Sequence, residues 1–328
     1  MNMTNWLENA AAQKKAMPIL SFPGIQLTGV TVDKLVRSGS LQAGCMEAVA
    51  KRWDTLASVS LMDLSVEAEA FGSPVKFSDD EVPSVTAAIV TDEESLAALK
   101  VPAVGDARSG EYVKTIGEAK KLITDRPIFA GAIGPFSLSG RLMDMTEIMM
   151  LCYEEPELVH GVLEKATQFL IAYNKALRDA GADGIIMAEP AAGMLSPALI
   201  GEFSSPYVKR IIEAVESEDC VFIYHNCGNA TLSLTKEILA TGAKAFHFGN
   251  AIDLGEMLKL IPADKIVMGN VDPAGEFRNG TPESVRRATR AVLLKCATHP
   301  NFILSSGCDI PPVSPLANID AFFEVAKE

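Results

Sequence analysis

The stretch VFIYHNCGN (residues 221–229) decides the fold. It opens on an apolar run with no polar alternation, the pattern of a strand covered on both faces by helices in a parallel sheet. The segment behind it, ATLSLTKEILA (230–240), has the character of a helix. Between the two, His225 and Cys227 stand two positions apart, where a buried strand ends and a loop opens.

The same strand-then-helix rhythm recurs along the chain. PIFAGAIG (127–134), DGIIMAEP (183–190), AFHFG (245–249), KIVMGNV (265–271) and FILSSG (302–307) read as strands, and SVSLMDL (58–64) and VTAAIV (85–90) read as fainter ones. The helices between them are legible too. Leu158, Val162, Ala166, Phe169, Leu170, Tyr173 and Leu177 form one apolar stripe, with Pro156 suited to a first turn and Gly181 to a left-handed stop. Thr281 before Pro282 marks another helix start. Eight strands alternating with helices predict a (β/α)8 TIM barrel. A doubly wound sheet shares the alternation, but the chain has no GxGxxG after its first strand and no GxxxxGK[ST]. No Gly/Ser-rich linker or compositional break divides the sequence, so a single domain spanning 1–328 is expected, with an N-terminal extension of about 30 residues before the barrel.

Composition narrows the function classes. With 48% hydrophobic and 22% charged residues, the chain reads as an ordinary globular protein. A formal net charge of −13 argues against nucleic acid and against an anionic membrane surface. The N-terminus, MNMTNWLENAAAQKK, lacks the basic start and apolar core of a secretory signal, so a cytoplasmic location is expected. In that compartment cysteines are thiols or metal ligands rather than disulfides. Cys45, Cys152, Cys220 and Cys296 have no partner at ligand spacing and read as core thiols.

In a barrel of this kind the site lies on the loops at the C-terminal ends of the strands. His225 and Cys227 end the fifth predicted strand, and FILSSGCDIPP delivers Cys308 at the end of the eighth. One nitrogen and two thiolates suit zinc, and three protein ligands leave the fourth tetrahedral position for a substrate. Two thiolates keep the centre electron-rich, so a bound substrate thiolate stays deprotonated yet nucleophilic. An HxC pair alone is a weak signal, since buried free cysteines are common. The second cysteine, after a glycine at another strand end, strengthens it.

YHNCGN, GNVDP with NGTPESV, and GCDIPPVSPLANIDAF, in that order, resemble the uroporphyrinogen decarboxylase superfamily. They look like its zinc-dependent branch, the cobamide:coenzyme M methyltransferases and related corrinoid-dependent enzymes. VEAEAFGSPV (66–75), GAIGPFSLSG (131–140) and AGADGIIMAEPAAGMLSP (180–197) fit the same pattern, so the resemblance covers nearly the whole chain. It implies the barrel fold and zinc on His225, Cys227 and Cys308. It also implies methyl transfer between a corrinoid, as methylcobalamin or a protein-bound relative, and a small thiol, pterin or methyl-ether substrate. The alternative is a metal-independent decarboxylase. That branch carries an arginine-rich segment near its N-terminus, where this chain offers only Arg37 and Arg52 in its first sixty residues.

The chain has no DxHxxG, so the corrinoid is expected on a separate partner protein; a homo-oligomer stays open. Where some zinc methyltransferases add an acidic residue from a neighbouring strand, this sequence reads FHFGN, which leaves His247 or Glu189 as candidates for a fourth ligand or a substrate contact. Glu189 in MAEP and Asp272 in GNVDP end strands and are candidate catalytic carboxylates, against helix-capping or turn roles. Asp63 and Glu67 lie beyond the first strand as candidate substrate contacts. Asn229 is a candidate helix cap, and GPFSLSG a helix start whose N–H groups could receive a polar substrate.

Overall fold

The computed structural model describes residues 2–328. In chain order the strands are β1 (Ser58–Val59), β2 (Val75–Lys76), β3 (Ser84–Val85), β4 (Ile128–Ile133), β5 (Gly184–Ala188), β6 (Val221–Asn226), β7 (Ala245–Phe248), β8 (Ile266–Val271) and β9 (Phe302–Ser306). Seven of them make one parallel sheet in the order β1-β4-β5-β6-β7-β8-β9, curled into a half-barrel under its helices, and β2 and β3 make a separate antiparallel hairpin.

Six of the eight expected strands form as read. SVSLMDL yields only the two residues of β1, and VTAAIV yields only the end of β3, outside the parallel sheet. The physical reason is composition. A strand buried on both faces needs bulky apolar side chains, and Thr86-Ala87-Ala88 offers little to bury; Thr86 and Ala87 are exposed.

Between β9 and β1 runs a short N-terminal segment. Met17 N–H donates to Leu304 O at 2.9 Å, Leu56 N–H to Ala16 O at 2.9 Å, and Ile310 N–H to Ile19 O at 3.1 Å. These residues fall within the roughly 30-residue N-terminal extension expected from the sequence. Their apolar side chains pack against the sheet: Met17 and Ile19 share one core cluster with Phe129, Ile186, Val221, Ile223, Ala245 and Met268. The helix Met3–Ala10 adds Met3, Leu7 and Ala10 to that cluster, and Trp6 sits over Phe129 with ring centroids 5.6 Å apart.

Side chains alternate across the sheet as strand geometry requires. On β6, Val221 and Ile223 point into the inner cluster, while Phe222 and Tyr224 join the larger cluster beneath the helices. That phase carries His225 inward. β6 and β7 pair in register with His225 opposite His247, so both imidazoles face the interior at the strands' C-terminal ends. The helix Pro156–Asp179 buries the whole predicted stripe, Gly181 takes a φ of +113°, and Thr281 caps the helix Pro282–Cys296 in a capping box with Ser284. No helix among the described residues is long and apolar enough to cross a membrane.

Candidate metal centre

His225, Cys227 and Cys308 come together: their ligand atoms all lie within 4.8 Å of one another, with His225 buried and both cysteines half-buried. The Cys308 Sγ lies 3.5 Å from His225 Nε2. A nitrogen and a sulfur at the tetrahedral angle on zinc are about 3.6 Å apart, given ordinary Zn–N and Zn–S bond lengths. The pair is therefore already spaced for a shared tetrahedral ion, and the donor set suits zinc.

The thiols are coupled. Contact with Cys308 holds the Cys227 thiol below the ordinary range against the effect of burial, while the same contact, followed by burial, pushes Cys308 up to about 12. The four remaining cysteines are buried, as expected for core thiols, and burial pushes Cys45, Cys152 and Cys296 up to about 11.

Asn226 and Gly249, which the sequence did not single out, hold Cys227 in place together with Asn270 of GNVDP. The Asn226 side chain donates to Glu189 O at 3.0 Å and accepts from Gly228 N–H at 2.9 Å and Thr231 Oγ1 at 3.0 Å, which fixes the turn carrying the cysteine. Asn229, expected as a cap for the helix behind this turn, does not cap it: that short helix has no side-chain cap. Gly249 lies against Cys227 from the end of β7, and its N–H donates to Asn226 O at 3.0 Å. Asn270 in turn donates to Gly249 O and Ile252 O, each at 3.0 Å, and so anchors the loop beneath the site.

His247 meets His225 edge-on, with Nδ1 to Nδ1 at 2.8 Å, while its Nε2 lies 2.8 Å from Ser305 Oγ. Both nitrogens are thus engaged within the protein. Burial, and then the neighbouring His225, hold its imidazole well below the ordinary range.

The carboxylates proposed as catalytic do not join the cluster. Glu189 is fully buried, and its oxygens accept from Phe136 N–H at 3.0 Å, Ser137 N–H at 2.7 Å and Ser204 Oγ at 2.8 Å. It caps the helix Pro135–Met143 from outside, so the N–H groups of GPFSLSG meet a glutamate rather than a substrate. Burial raises its carboxyl, and the Ser137, Ser204 and Phe136 contacts pull it back. Asp272 accepts from Ala274 N–H at 2.9 Å and Gly275 N–H at 2.8 Å, the turn role weighed against catalysis. Asp63 is closed off by Arg108, Tyr112 and Ser65, whereas Glu67 has one buried oxygen, Oε2, without a partner.

The uroporphyrinogen decarboxylase (URO-D) pattern matches residues 14–328. The chain belongs to that family. Among curated relatives it is similar to the methylcobamide:CoM methyltransferase MtbA of Methanosarcina acetivorans, 31% identical over 271 residues, which is 81% of this chain and 77% of the relative. It is also similar to the chloroplastic uroporphyrinogen decarboxylase 2 of Arabidopsis thaliana, 30% identical over 231 residues, 66% of this chain and 57% of that one. Among solved structures, a methyltransferase from Methanosarcina mazei superposes with a TM-score of 0.87 over 100% of this chain and 98% of the other, at 22% identity. That likeness establishes a shared fold.

Proposed function

We propose that the chain is a zinc-dependent methyltransferase. It moves a methyl group between a corrinoid, carried by a separate protein, and a small thiol, pterin or methyl-ether substrate. The observation that carries the reading is the open His225–Cys227–Cys308 triad at the C-terminal face of the sheet. The similarity to MtbA, whose name states methyl transfer from a cobamide to coenzyme M, supports it. In this reading the protein is a single domain and a complete barrel, with residues 16–20 in the place of an eighth strand.

His225, Cys227 and Cys308 would hold a zinc ion there, and it would supply the Lewis acidity that a substrate thiol needs to ionise near neutral pH or a methyl ether or thioether needs to be polarised. His225 offers Nε2, and Cys227 and Cys308 offer thiolates whose two charges balance a divalent ion. His225 is buried and both cysteines are half-buried, so in this reading a substrate approaches the triad from the cysteine side. Glu189 and Asp272 act here by holding the strand-end loops in shape. The chain has no DxHxxG, so the corrinoid is assigned to a partner whose exposed face docks at the strand ends.

Zinc content of protein purified without chelator tests the reading, beside Cys308→Ser and His225→Ala. About one zinc per chain, lost or sharply weakened in both variants, is expected, together with methyl exchange against methylcobalamin. A wild type that stays metal-free after zinc is added would overturn it. The metal-independent decarboxylase, favoured by the similarity to the Arabidopsis enzyme, would then lead, with carbon dioxide release as its signature.

A further inference from the structure

We propose that His247 is a positioning residue rather than a ligand. Through a one-way hydrogen-bond relay it fixes the tautomer and orientation of His225, which leaves the fourth metal position to the substrate. The inference rests on the zinc reading above and assigns a role to side chains that the ligand set does not use.

The relay has a direction because one end of it can only accept. Ser305 Oγ lies 2.7 Å from Met17 O, and a carbonyl has no hydrogen to give, so the serine spends its single O–H there. Ser305 Oγ must therefore accept from His247 Nε2, 2.8 Å away, which puts the imidazole hydrogen of His247 on Nε2. Its Nδ1 is then a bare lone pair. At 2.8 Å from it, and 3.2 Å from the His247 backbone carbonyl, which can only accept, His225 Nδ1 must be the donor, shared between the two. His225 is left with its lone pair on Nε2, the nitrogen that faces Cys308 Sγ at 3.5 Å. Each step follows from the donor inventory of the groups and their distances.

Two consequences separate this arrangement from a fourth protein ligand. Both nitrogens of His247 are occupied, one by Ser305 and one by His225, so neither has a free lone pair for an ion. In addition, the relay ends on a neutral backbone carbonyl rather than on a carboxylate. It orients the ring without adding negative charge to a centre that already has two thiolates. Met17 belongs to the segment running between β9 and β1, so the same residues that bridge the sheet edges also set the ligand geometry.

Zinc and cobalt loading of wild type, His247→Gln, His247→Phe and Ser305→Ala tests this, with X-ray absorption on the zinc forms and competitive chelator titration for affinity. One imidazole and two sulfurs are expected around zinc in the wild type and in every variant. Affinity should fall roughly ten- to a hundredfold in His247→Phe and in Ser305→Ala, the usual cost of losing the partner of a ligating histidine. His247→Gln should recover part of it, because its amide can accept from His225 and donate to Ser305. Ser305→Ala removes one oxygen atom and keeps the test valid should the buried His247→Phe fail to fold. Two imidazoles in the wild type falling to one in the His247 variants would overturn the inference, as would unchanged affinity in Ser305→Ala. A wild type without metal would instead defeat the zinc reading itself and take the relay's role with it.

Discussion

The backbone of Gly249 presses on Cys227 so closely that a β-carbon there would come within 2.5 Å of the Cys227 Cβ and 2.6 Å of its Cα. Real β-carbons do not approach so near, and the atoms in the way are not a flexible side-chain tip. Gly249→Ala must therefore push the turn bearing Cys227 aside without altering any ligand. Overpacking of this kind costs about 1–3 kcal/mol, which corresponds to roughly five- to a hundredfold in metal affinity if it falls on the bound geometry. Chelator competition on the alanine variant measures it. Affinity equal to wild type would show that Cys227 need not stay where the glycine puts it.

Glu189 gives the opposite expectation. Glu189→Ala strands two backbone N–H groups and a serine hydroxyl in a buried site, and should lower stability by about 2–4 kcal/mol. Zinc stoichiometry should stay at the wild-type level. Asp272→Ala should behave likewise at a smaller cost, about 1 kcal/mol, because the turn it caps is more exposed. Urea denaturation and metal analysis on the same samples separate the two effects. Loss of zinc from folded Glu189→Ala would return that carboxylate to the metal site.

These contrasts mark what the sequence could reveal. Six strands were legible because they are apolar on both faces, and His225, Cys227 and Cys308 because their residue types at strand ends have few other uses. Residues 16–20 were not legible: AMPIL is too short and too interrupted by Pro18 to read as a strand, and its place depends on single hydrogen bonds to distant segments. The link from His247 to His225 depends on the β6–β7 register, which no local pattern encodes. Glu189 was visible as a strand-end carboxylate, but which way it turns is decided by room that Gly134 leaves. A β-carbon on Gly134 would fall 2.5 Å from the Glu189 carboxyl carbon.

Beyond β1, Arg108 bridges Asp63 and Glu69, with side-chain exposures of 6% for the arginine and 0% for Asp63. Tyr112 and Ser65 complete the hydrogen bonding of that aspartate. Arg108→Met leaves a buried carboxylate without its counter-charge, and should cost about 3–5 kcal/mol. Adding Asp63→Asn should return part of the loss, since the stranded charge is what costs most. A double variant no more stable than Arg108→Met alone would show that shape rather than charge sets the cost.

Glu67 supplies a pH signature independent of any metal. It is 1% exposed, its Oε1 accepts from Ile133 N–H at 3.0 Å, and its Oε2 has no partner. Burial foremost, with a smaller push from Asp63, raises its carboxyl from 4.5 to about 7, against the pull of the Ile133 N–H and Arg141. Between those values the folded chain keeps a proton that the unfolded chain has lost. The stability this group contributes is therefore full below about 4.5, declines as pH rises, and is gone above about 7. The ceiling is about 3 kcal/mol. Glu67→Gln is neutral throughout and can keep the Ile133 contact. Its stability relative to wild type should climb between about pH 4.5 and about pH 7 and be level from there to about pH 8. Urea denaturation of both proteins across that range is the measurement, and two stability curves that stay parallel would show that Glu67 is ionised in the folded chain from the start.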